Sequence, residues 1–155
     1  MRFLIIDAPR EQNLHLYLKE FKKYNVKHLV RIDVTPPGYN GEDVQKAGIK
    51  MHEMFFEDGA SPPADIIAKW GNLVGETFDS LKPGDDVPCI AVHCIAGLGR
   101  APVLVAIALV EHGIDAISAV TLIRDKRRGA INAVQLSYLE EYRPQRGQKK
   151  KCVIM

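Results

Sequence analysis

A cysteine and an arginine are separated by five residues at the place where an apolar, strand-like run gives way to an apolar, helix-like run. These two residues are Cys94 and Arg100. Gly97 and Gly99 allow the intervening loop to turn tightly and to direct several N–H groups inward. Pro102 suits the first turn of a helix, whose N-terminus favours a bound anion. Because Arg100 adds a planar guanidinium that can bind two phosphate oxygens, the spacing predicts a phosphate-binding cup.

Cys94 lies at the base of this predicted cup, which makes it a candidate nucleophile. N–H donors and a guanidinium favour the ionised thiolate, and the thiolate is the form of cysteine that attacks phosphorus. The residues predicted to bind phosphate are Ile95, Ala96, Gly97, Leu98, Gly99 and Arg100. The alternative for Cys94 is an inert buried thiol, because cysteine also packs as a small apolar residue. The spacing to Arg100 and the two glycines favours the nucleophile.

A phosphoryl transfer to cysteine also needs a proton donor for the leaving group, on a loop outside the cup. The turn-rich stretch 57–63 begins with two neighbouring carboxyl groups, Glu57 and Asp58. The residues alone do not choose between these two acids, and the alternative for both is a pair of solvated loop carboxylates. The stretch is therefore a candidate acid loop.

The run 93–102 has the pattern His-Cys-x5-Arg and resembles the cysteine-based protein tyrosine and dual-specificity phosphatases. The wider run 91–106 resembles one subfamily in particular, the small prenylated phosphatases of regenerating liver. The other stretches that carry the resemblance are 1–5, 22–24, 30–31, 58–60, 123–130 and 138–144. The resemblance therefore spans nearly the whole chain.

The resemblance implies roles for several residues. It makes Asp58 the general acid, with Glu57 beside it, and it makes His93 a support for the thiolate and the loop. Gln135 falls where related enzymes have a glutamine that orients the hydrolytic water, although an ordinary helix-surface glutamine remains the alternative. Members of the subfamily also bind magnesium-transport mediators of the CNNM type through the catalytic face, and self-association is implied by resemblance only.

The chain departs from the wider superfamily at two places near the site. Ala101 stands where most members have a serine or threonine whose hydroxyl assists breakdown of the phosphocysteine, so slow turnover is expected. Met54 and Phe55 replace the tryptophan and proline that commonly precede the acid loop. The loop between Cys94 and Arg100 also lacks the lysine that phosphoinositide phosphatases often carry there. This absence predicts a shallow, uncharged pocket without strong inositide selectivity.

A third departure concerns redox control. In vertebrate-type members of the subfamily, the catalytic cysteine forms a disulfide with a cysteine that follows a Val-Arg-x stretch, and here Asp33 holds that place. Cys89 lies five residues before Cys94 along a predicted strand. An extended run of that length separates the two Cα atoms by about 16 Å, and a disulfide needs roughly 4.4 to 6.8 Å. We therefore expect a carboxylate near the pocket and no intramolecular disulfide.

The C-terminus carries a lipidation signal. Residues 152–155 read Cys-Val-Ile-Met, a C-a-a-X box whose methionine favours farnesyl on Cys152. One lipid gives marginal binding, and a second signal comes from nearby basic residues. These residues are Arg143, Arg146, Lys149, Lys150 and Lys151. The sequence predicts a lipid-anchored protein on the cytoplasmic face of membranes, plasma or endosomal, with a cytosolic pool; an unmodified charged tail is the alternative.

The bulk composition limits the class of protein. The chain has 155 residues, which suits one domain, and a formal net charge of +2, which argues against nucleic acid as a partner. Three cysteines are too few and too scattered for a disulfide scaffold. The sequence shows no signal peptide or membrane span and predicts no cofactor and no metal site.

Alternating strand and helix patterns predict one α/β domain with a central mixed sheet flanked by helices, similar to the dual-specificity phosphatases. Strands are expected at 3–6, 26–32, 49–55 and 89–92. Helices are expected at 14–24, 42–47, 64–80, 101–111, 115–127 and 132–142. Residues 1–143 form the predicted phosphatase domain, and residues 144–155 form a basic tail.

Two functions remain in competition at this point. The first is a slow cysteine-dependent phosphatase that hydrolyses phosphomonoesters on phosphoproteins through a phosphocysteine at membranes. The second is a low-turnover binding module whose pocket grips a magnesium-transport mediator of the CNNM type. Sulfur transfer of the rhodanese kind also uses a cysteine loop, but Arg100 and the acid loop count against it.

Overall fold

A computed structural model describes residues 1–33 and 38–146. Within them the elements follow one another as β1 (Phe3–Ile6), α1 (Leu14–Lys23), β2 (Val26–Arg31), α2 (Gly41–Lys46), β3 (Lys50–Glu53), α3 (Ala64–Phe78), β4 (Cys89–His93), α4 (Arg100–Glu111), α5 (Ala116–Lys126) and α6 (Ala133–Glu141). The predicted single α/β domain is confirmed. Cys152 and the three lysines of the predicted tail lie outside the described residues, so the division into domain and tail stays a prediction.

The four strands of the sheet lie in the order β1-β4-β2-β3, and every neighbouring pair is parallel. The expectation of a mixed sheet was therefore wrong in that detail. The physical reason is the connectivity: a helix stands between each strand and the next, and such a crossover returns the chain in the same direction. The strand before the candidate cup, β4, is central and buried at all five positions.

The side chains of β4 alternate between two apolar cores on the two faces of the sheet. Ile90 and Val92 join a larger core with α3 and α4, and Cys94 continues that face. Cys89 and Ala91 join a smaller core with α1. The two cysteines are both free thiols and belong to opposite faces, in agreement with the expectation that they do not pair.

The helix that follows the cup, α4, is buried around almost its whole circumference. It lies between the sheet and the helices α3, α5 and α6, which explains why its sequence is apolar without an amphipathic period. Its first residue is Arg100, and the loop 94–99 joins it to β4. The fold therefore fixes both ends of the loop on buried elements. In residues 1–33 and 38–146 no helix is long and apolar enough to cross a bilayer.

Side-chain capping marks the start of three of the six described helices, α2, α5 and α6. Asn132 accepts from Gln135 N–H while the Gln135 side chain accepts from Asn132 N–H, a reciprocal capping box at the start of α6. Asp115 caps α5 through Ser118 N–H. Asn13 stands at the predicted start of α1, but its side chain accepts from Arg10 N–H before the helix instead of capping it.

Candidate active site

The carbonyl oxygens of successive residues in the loop 94–99 are all bound from outside the loop. The pairs are Ile95 O with Ala8 N–H, Ala96 O with Arg127 Nη2, Gly97 O with Arg127 Nε and Leu98 O with Ile131 N–H, each at 2.8 Å. His93 Nδ1 lies 3.0 Å from Cys94 O. In a trans peptide the C=O of one residue and the N–H of the next point in opposite directions. The N–H groups of residues 95–99 are therefore turned to the inner side of the loop.

Gly97 has no alternative at its position. Its φ is +69°, and a Cβ there would lie 2.6 Å from Ile6 O and 2.7 Å from Arg127 Nη2. Any other residue would push the loop away from the end of β1 and from the arginine that holds it. Gly99 is less restricted, because its Cβ would meet the flexible end of Gln135, at 3.1 Å from Nε2.

Arg127 is the main support of the loop, and sequence reasoning assigned it no role. Its guanidinium binds the loop carbonyls of Ala96 and Gly97 and also reaches Ile5 O, at 3.3 Å. The residue follows α5 and is 30 positions from Gly97 in the chain, so no local pattern connects the two. The one signal available was its position inside the run 123–130 that carries the family resemblance.

A second arginine, Arg124, holds the segment that binds the carbonyl of Leu98. Arg124 donates to Ala130 O at 3.0 Å and to Ile131 O at 2.6 Å. Ile131 adopts a φ of +63°, which is unfavourable for a β-branched residue. Because its N–H is the donor to Leu98 O, the strained conformation is tied directly to the loop.

Cys94, the predicted nucleophile, is buried at the base of the loop. His93 Nδ1 must carry a proton, because its partner, Cys94 O, can only accept. His93 Nε2 then accepts from Tyr39 OH at 2.6 Å. Burial lowers the pKa of His93 and raises the pKa of Tyr39 to about 12, so both stay neutral and the two bonds persist. Tyr39 is a supporting residue that sequence reasoning missed.

Arg100 is buried and its guanidinium is held by two acceptors. Nη1 donates to Asp33 Oδ2 at 3.0 Å and to Phe56 O at 3.1 Å. The expectation that a carboxylate stands near the pocket at position 33 is confirmed. That carboxylate forms an ion pair with the arginine, with side-chain exposures of 6% for Arg100 and 16% for Asp33.

Asp58 lies over the mouth of the loop. Its Oδ1 is 3.8 Å from Arg100 Nε, and its side chain is 80% exposed. A cleft of about 490 Å³ lies beside it, and Glu57, Phe55 and Ile95 are part of its lining. Met54 is buried in the larger core and Phe55 is exposed, so the two residues that replace the family's tryptophan and proline face opposite sides.

The remaining predicted residues surround the same loop. Ala101 is fully buried directly behind Arg100, so a methyl group stands where most of the superfamily carries a hydroxyl. Gln135 reaches Gly99 with its Nε2 while its Oε1 caps α6. The structure thus brings Cys94, the loop, Arg100, Asp58, His93, Ala101 and Gln135 together. No group of three or more His, Cys, Asp or Glu among residues 1–33 and 38–146 is arranged to hold a metal ion.

Comparisons with known proteins agree on one family. No protein-family model matches the chain. The PRL-1 phosphatase of Drosophila melanogaster is 46% identical over 160 residues, covering 99% of this chain and 88% of its own length. Protein tyrosine phosphatase type IVA 2 of Mus musculus is 50% identical over 145 residues, covering 93% of this chain and 83% of its own length.

Solved structures give the same answer. A protein tyrosine phosphatase of Leishmania major superposes with a TM-score of 0.75 at 43% identity, over 91% of this chain and 87% of that one. The kinase-associated phosphatase, at 24% identity and a TM-score of 0.69 over 93% of this chain and 85% of that one, shares the fold. The chain belongs to the type IVA protein tyrosine phosphatases, the phosphatases of regenerating liver, and is itself a protein tyrosine phosphatase.

Proposed function

We propose that this phosphatase hydrolyses phosphomonoesters on proteins through a phosphocysteine on Cys94. The observation that carries the proposal is the outward binding of every carbonyl from Cys94 to Leu98, which turns the N–H groups of residues 95–99 inward. Such a ring of donors, closed by the guanidinium of Arg100, suits the three non-bridging oxygens of a phosphoryl group. The buried thiol at its base lies where a nucleophile is needed.

In the first step, the thiolate of Cys94 attacks phosphorus in line with the leaving oxygen. The S–P bond forms, the P–O bond breaks, and Asp58 donates its proton to the departing oxygen. The position of Asp58 supports this role, since its carboxylate stands beside Arg100 at the mouth and is exposed enough to meet a bound side chain. Glu57 lines the cleft without a contact to Arg100 in the described structure, which favours Asp58 of the two acids.

In the second step, water attacks the phosphocysteine. Asp58, now a carboxylate, accepts the proton of the water, the P–S bond breaks, and the thiolate is restored. Gln135 supports this step because its Nε2 reaches Gly99 at the edge of the cup, where it can orient the water. Ala101 offers no hydroxyl to assist the departing sulfur, so we expect this step to limit turnover.

The nucleophile can be tested with a matched pair of cysteine variants. Cys94→Ser should abolish hydrolysis of an aryl phosphate, whereas Cys89→Ser, on the opposite face of the sheet, should keep it. Intact mass spectrometry after acid quench should show a phosphorylated adduct on wild type and on Cys89→Ser only. Activity retained by folded Cys94→Ser, judged by circular dichroism, would remove the phosphocysteine from the mechanism.

We further propose that Cys152 is farnesylated and that the protein acts on the cytoplasmic face of membranes, with a cytosolic pool. The C-a-a-X box at residues 152–155 and the adjacent Lys149, Lys150 and Lys151 support this. Arg146 binds both carboxylate oxygens of Asp79 at 3.1 Å, so its charge is already balanced within the fold. We therefore assign the attraction to anionic lipid mainly to the three lysines.

A binding role for the same face is the second candidate. The rim of the cup exposes large apolar side chains, namely Ile95, Phe55 and Leu98, which is the character of a protein-binding surface. This supports engagement of a magnesium-transport mediator of the CNNM type, as the family resemblance implies. Self-association of the lipid-anchored form is a further proposal. Measuring released phosphate separately from phosphocysteine separates the roles. A slow phosphatase continues to release phosphate over many turnovers, whereas a binding module stops after about one adduct per molecule.

A further inference from the structure

We propose that Asp33 is the positioning residue for Arg100: it fixes the guanidinium so that one edge faces the phosphate cup. This inference rests on the proposed role of Arg100 in phosphate binding. It extends that role to a residue on another element, since Asp33 follows β2 and lies 67 positions from Arg100 in the chain. The sequence predicted only that a carboxylate lies near the pocket, and it indicated no function for that carboxylate in the reaction.

Among the described residues, the contacts of Arg100 leave one edge of its guanidinium without a hydrogen-bond partner. Nη1 carries two protons, and both have partners, Asp33 Oδ2 at 3.0 Å and Phe56 O at 3.1 Å. Within the described residues, buried Nε has no hydrogen-bond partner. The Nε–Nη2 edge has the two parallel N–H bonds that match two oxygens of a phosphate. Asp33 therefore binds the corner of the guanidinium that phosphate does not need.

Asp33 is the only close carboxylate of Arg100 among the described residues that is shielded from water. Its side chain is 16% exposed, whereas that of Asp58, the other carboxylate near Arg100, is 80% exposed and 3.8 Å away. A shielded charge-assisted hydrogen bond restrains a side chain much more strongly than a solvated contact. The orientation of Arg100 is therefore set by Asp33, and Asp58 remains free to serve the leaving group.

The same nitrogen also connects the cup to the acid loop. Phe56 O shares Nη1 with Asp33, and Phe56 is two residues before Asp58. When Asp33 fixes Arg100, Arg100 in turn fixes the carbonyl of Phe56, the residue directly before the acid loop. Loss of Asp33 should therefore weaken oxyanion binding and, in addition, slow substrates whose leaving groups need the acid.

The experiment compares Asp33→Ala with Asp33→Asn, whose amide oxygen can still accept from Nη1. The probe is inorganic phosphate as a competitive inhibitor of aryl phosphate hydrolysis by the full chain. We expect Asp33→Ala to raise the inhibition constant about 10-fold, the size typical of losing one charge-assisted hydrogen bond. Asp33→Asn should remain within about threefold of wild type, because the acceptor is kept. Asp43→Ala, at an exposed position of α2, is the control and should match wild type.

The outcomes separate this inference from the proposed function. If Arg100→Ala abolishes phosphate inhibition and Asp33→Ala binds phosphate like wild type, Asp33 has no positioning role. An equal loss in Asp33→Asn and Asp33→Ala also overturns it, because the acceptor would not be what matters. If Arg100→Ala itself keeps normal inhibition, the proposed role of Arg100 fails first. Should Asp33→Ala not fold, Asp33→Leu fills the same space without an acceptor, and the same criteria apply.

Discussion

At the scale of single residues, the site is assembled by side chains that bind backbone carbonyls. The side chains of His93 and Arg127 bind three loop carbonyls, those of Cys94, Ala96 and Gly97. The carbonyl of Ile95, which lies between them, is bound by the backbone N–H of Ala8. None of these groups needs to touch a substrate. They determine which way the peptide units face, and the N–H groups that remain are the ones a phosphate can use.

Arg127 therefore offers a first prediction. Arg127→Ala leaves two loop carbonyls without their donor, and each lost bond typically costs about 1 kcal/mol. We expect the free energy of unfolding to fall by about 2 kcal/mol and the inhibition constant of phosphate to rise, because the N–H ring loosens. Arg128→Ala, at the exposed neighbouring position, is the matched control. Equal urea denaturation and phosphate inhibition in the two variants would contradict the role of Arg127.

Asp58 carries the second prediction at this scale. Asp58→Ala should slow substrates with poor leaving groups by about 10² to 10⁴-fold, and it should affect activated aryl phosphates much less, because only the former need a proton. Glu57→Ala is the matched control, since it removes the neighbouring carboxyl group of the same loop. The measurement is kcat/KM for a series of aryl phosphates with different leaving groups, and it decides whether Asp58 or Glu57 is the general acid. A larger effect from Glu57→Ala would reassign the acid.

At the scale of elements, the sequence predicted what is local and missed what is not. Helix and strand positions were right to within a few residues, because apolar periodicity and capping residues such as Asp115 and Asn132 act within one turn. The parallel direction of every strand pair was missed, although the helix between each strand and the next already requires it. The order of the strands in the sheet depends on packing between distant segments and does not follow from the local pattern. The cup was predicted because its chemistry is compressed into 94–100. Its supports, Arg127 and Tyr39, were missed because they come from other elements.

The register between β2 and β3 brings two histidines, His28 and His52, into contact. His28 Nδ1 on β2 and His52 Nε2 on β3 are 3.0 Å apart, so one ring donates its N–H to the other. Burial lowers the pKa of both rings, and the charge of Lys50 lowers each of them further; Glu76 opposes the shift without reversing it. The folded protein therefore protonates both rings at a lower pH than the unfolded chain does.

The pair leads to a prediction for the pH dependence of stability. The unfolded chain takes up protons on these rings near their ordinary value of 6.5, whereas the folded chain takes them up only at lower pH. The unfolded state thus binds more protons below that value, so the free energy of unfolding should fall as pH drops from about 7 to 5. His93, whose pKa is also lowered by burial, acts in the same direction.

Urea denaturation at pH 7, 6 and 5 tests this prediction. The double variant His28→Gln and His52→Gln keeps polar side chains that do not titrate, so its stability should fall less steeply with acidification than that of wild type. His15→Gln, at an exposed position of α1, is the control and should keep the wild-type slope. An unchanged slope in the double variant would mean that the pair does not titrate differently in the two states.

At the scale of the whole molecule, the two ends of α4 have different tasks. Its first residue, Arg100, belongs to the cup, and its last, Glu111, binds the end of the described chain. Glu111 accepts from Tyr142 OH at 2.6 Å and from the N–H groups of Gln145 and Arg146 at 2.9 Å. A helix of 12 residues is about 18 Å long. The described chain therefore ends beside the C-terminal end of α4, whereas the cup lies at the N-terminal end of the same helix.

This separation leads to the last prediction, which concerns the lipid anchor. Gln145 and Arg146 bind Glu111 at the end of α4 that lies away from the cup, so we expect the proposed lipid on Cys152 to leave the cup unchanged. Cys152→Ser should therefore move the protein from membrane to soluble fractions and leave kcat/KM for a soluble aryl phosphate within about twofold of wild type, since no group of the cup changes. Replacing Lys149, Lys150 and Lys151 by glutamine should weaken sedimentation with anionic vesicles only partly, because the lipid remains while about 1 kcal/mol per charge is lost. The binding that remains should be less sensitive to salt, because fewer charges contribute to it. Cys89→Ser is the control, because it removes a buried thiol and keeps the terminal cysteine. Membrane sedimentation of Cys152→Ser at the wild-type level would show that another part of the molecule is the anchor, and a large loss of soluble activity would show that the tail and the cup are coupled.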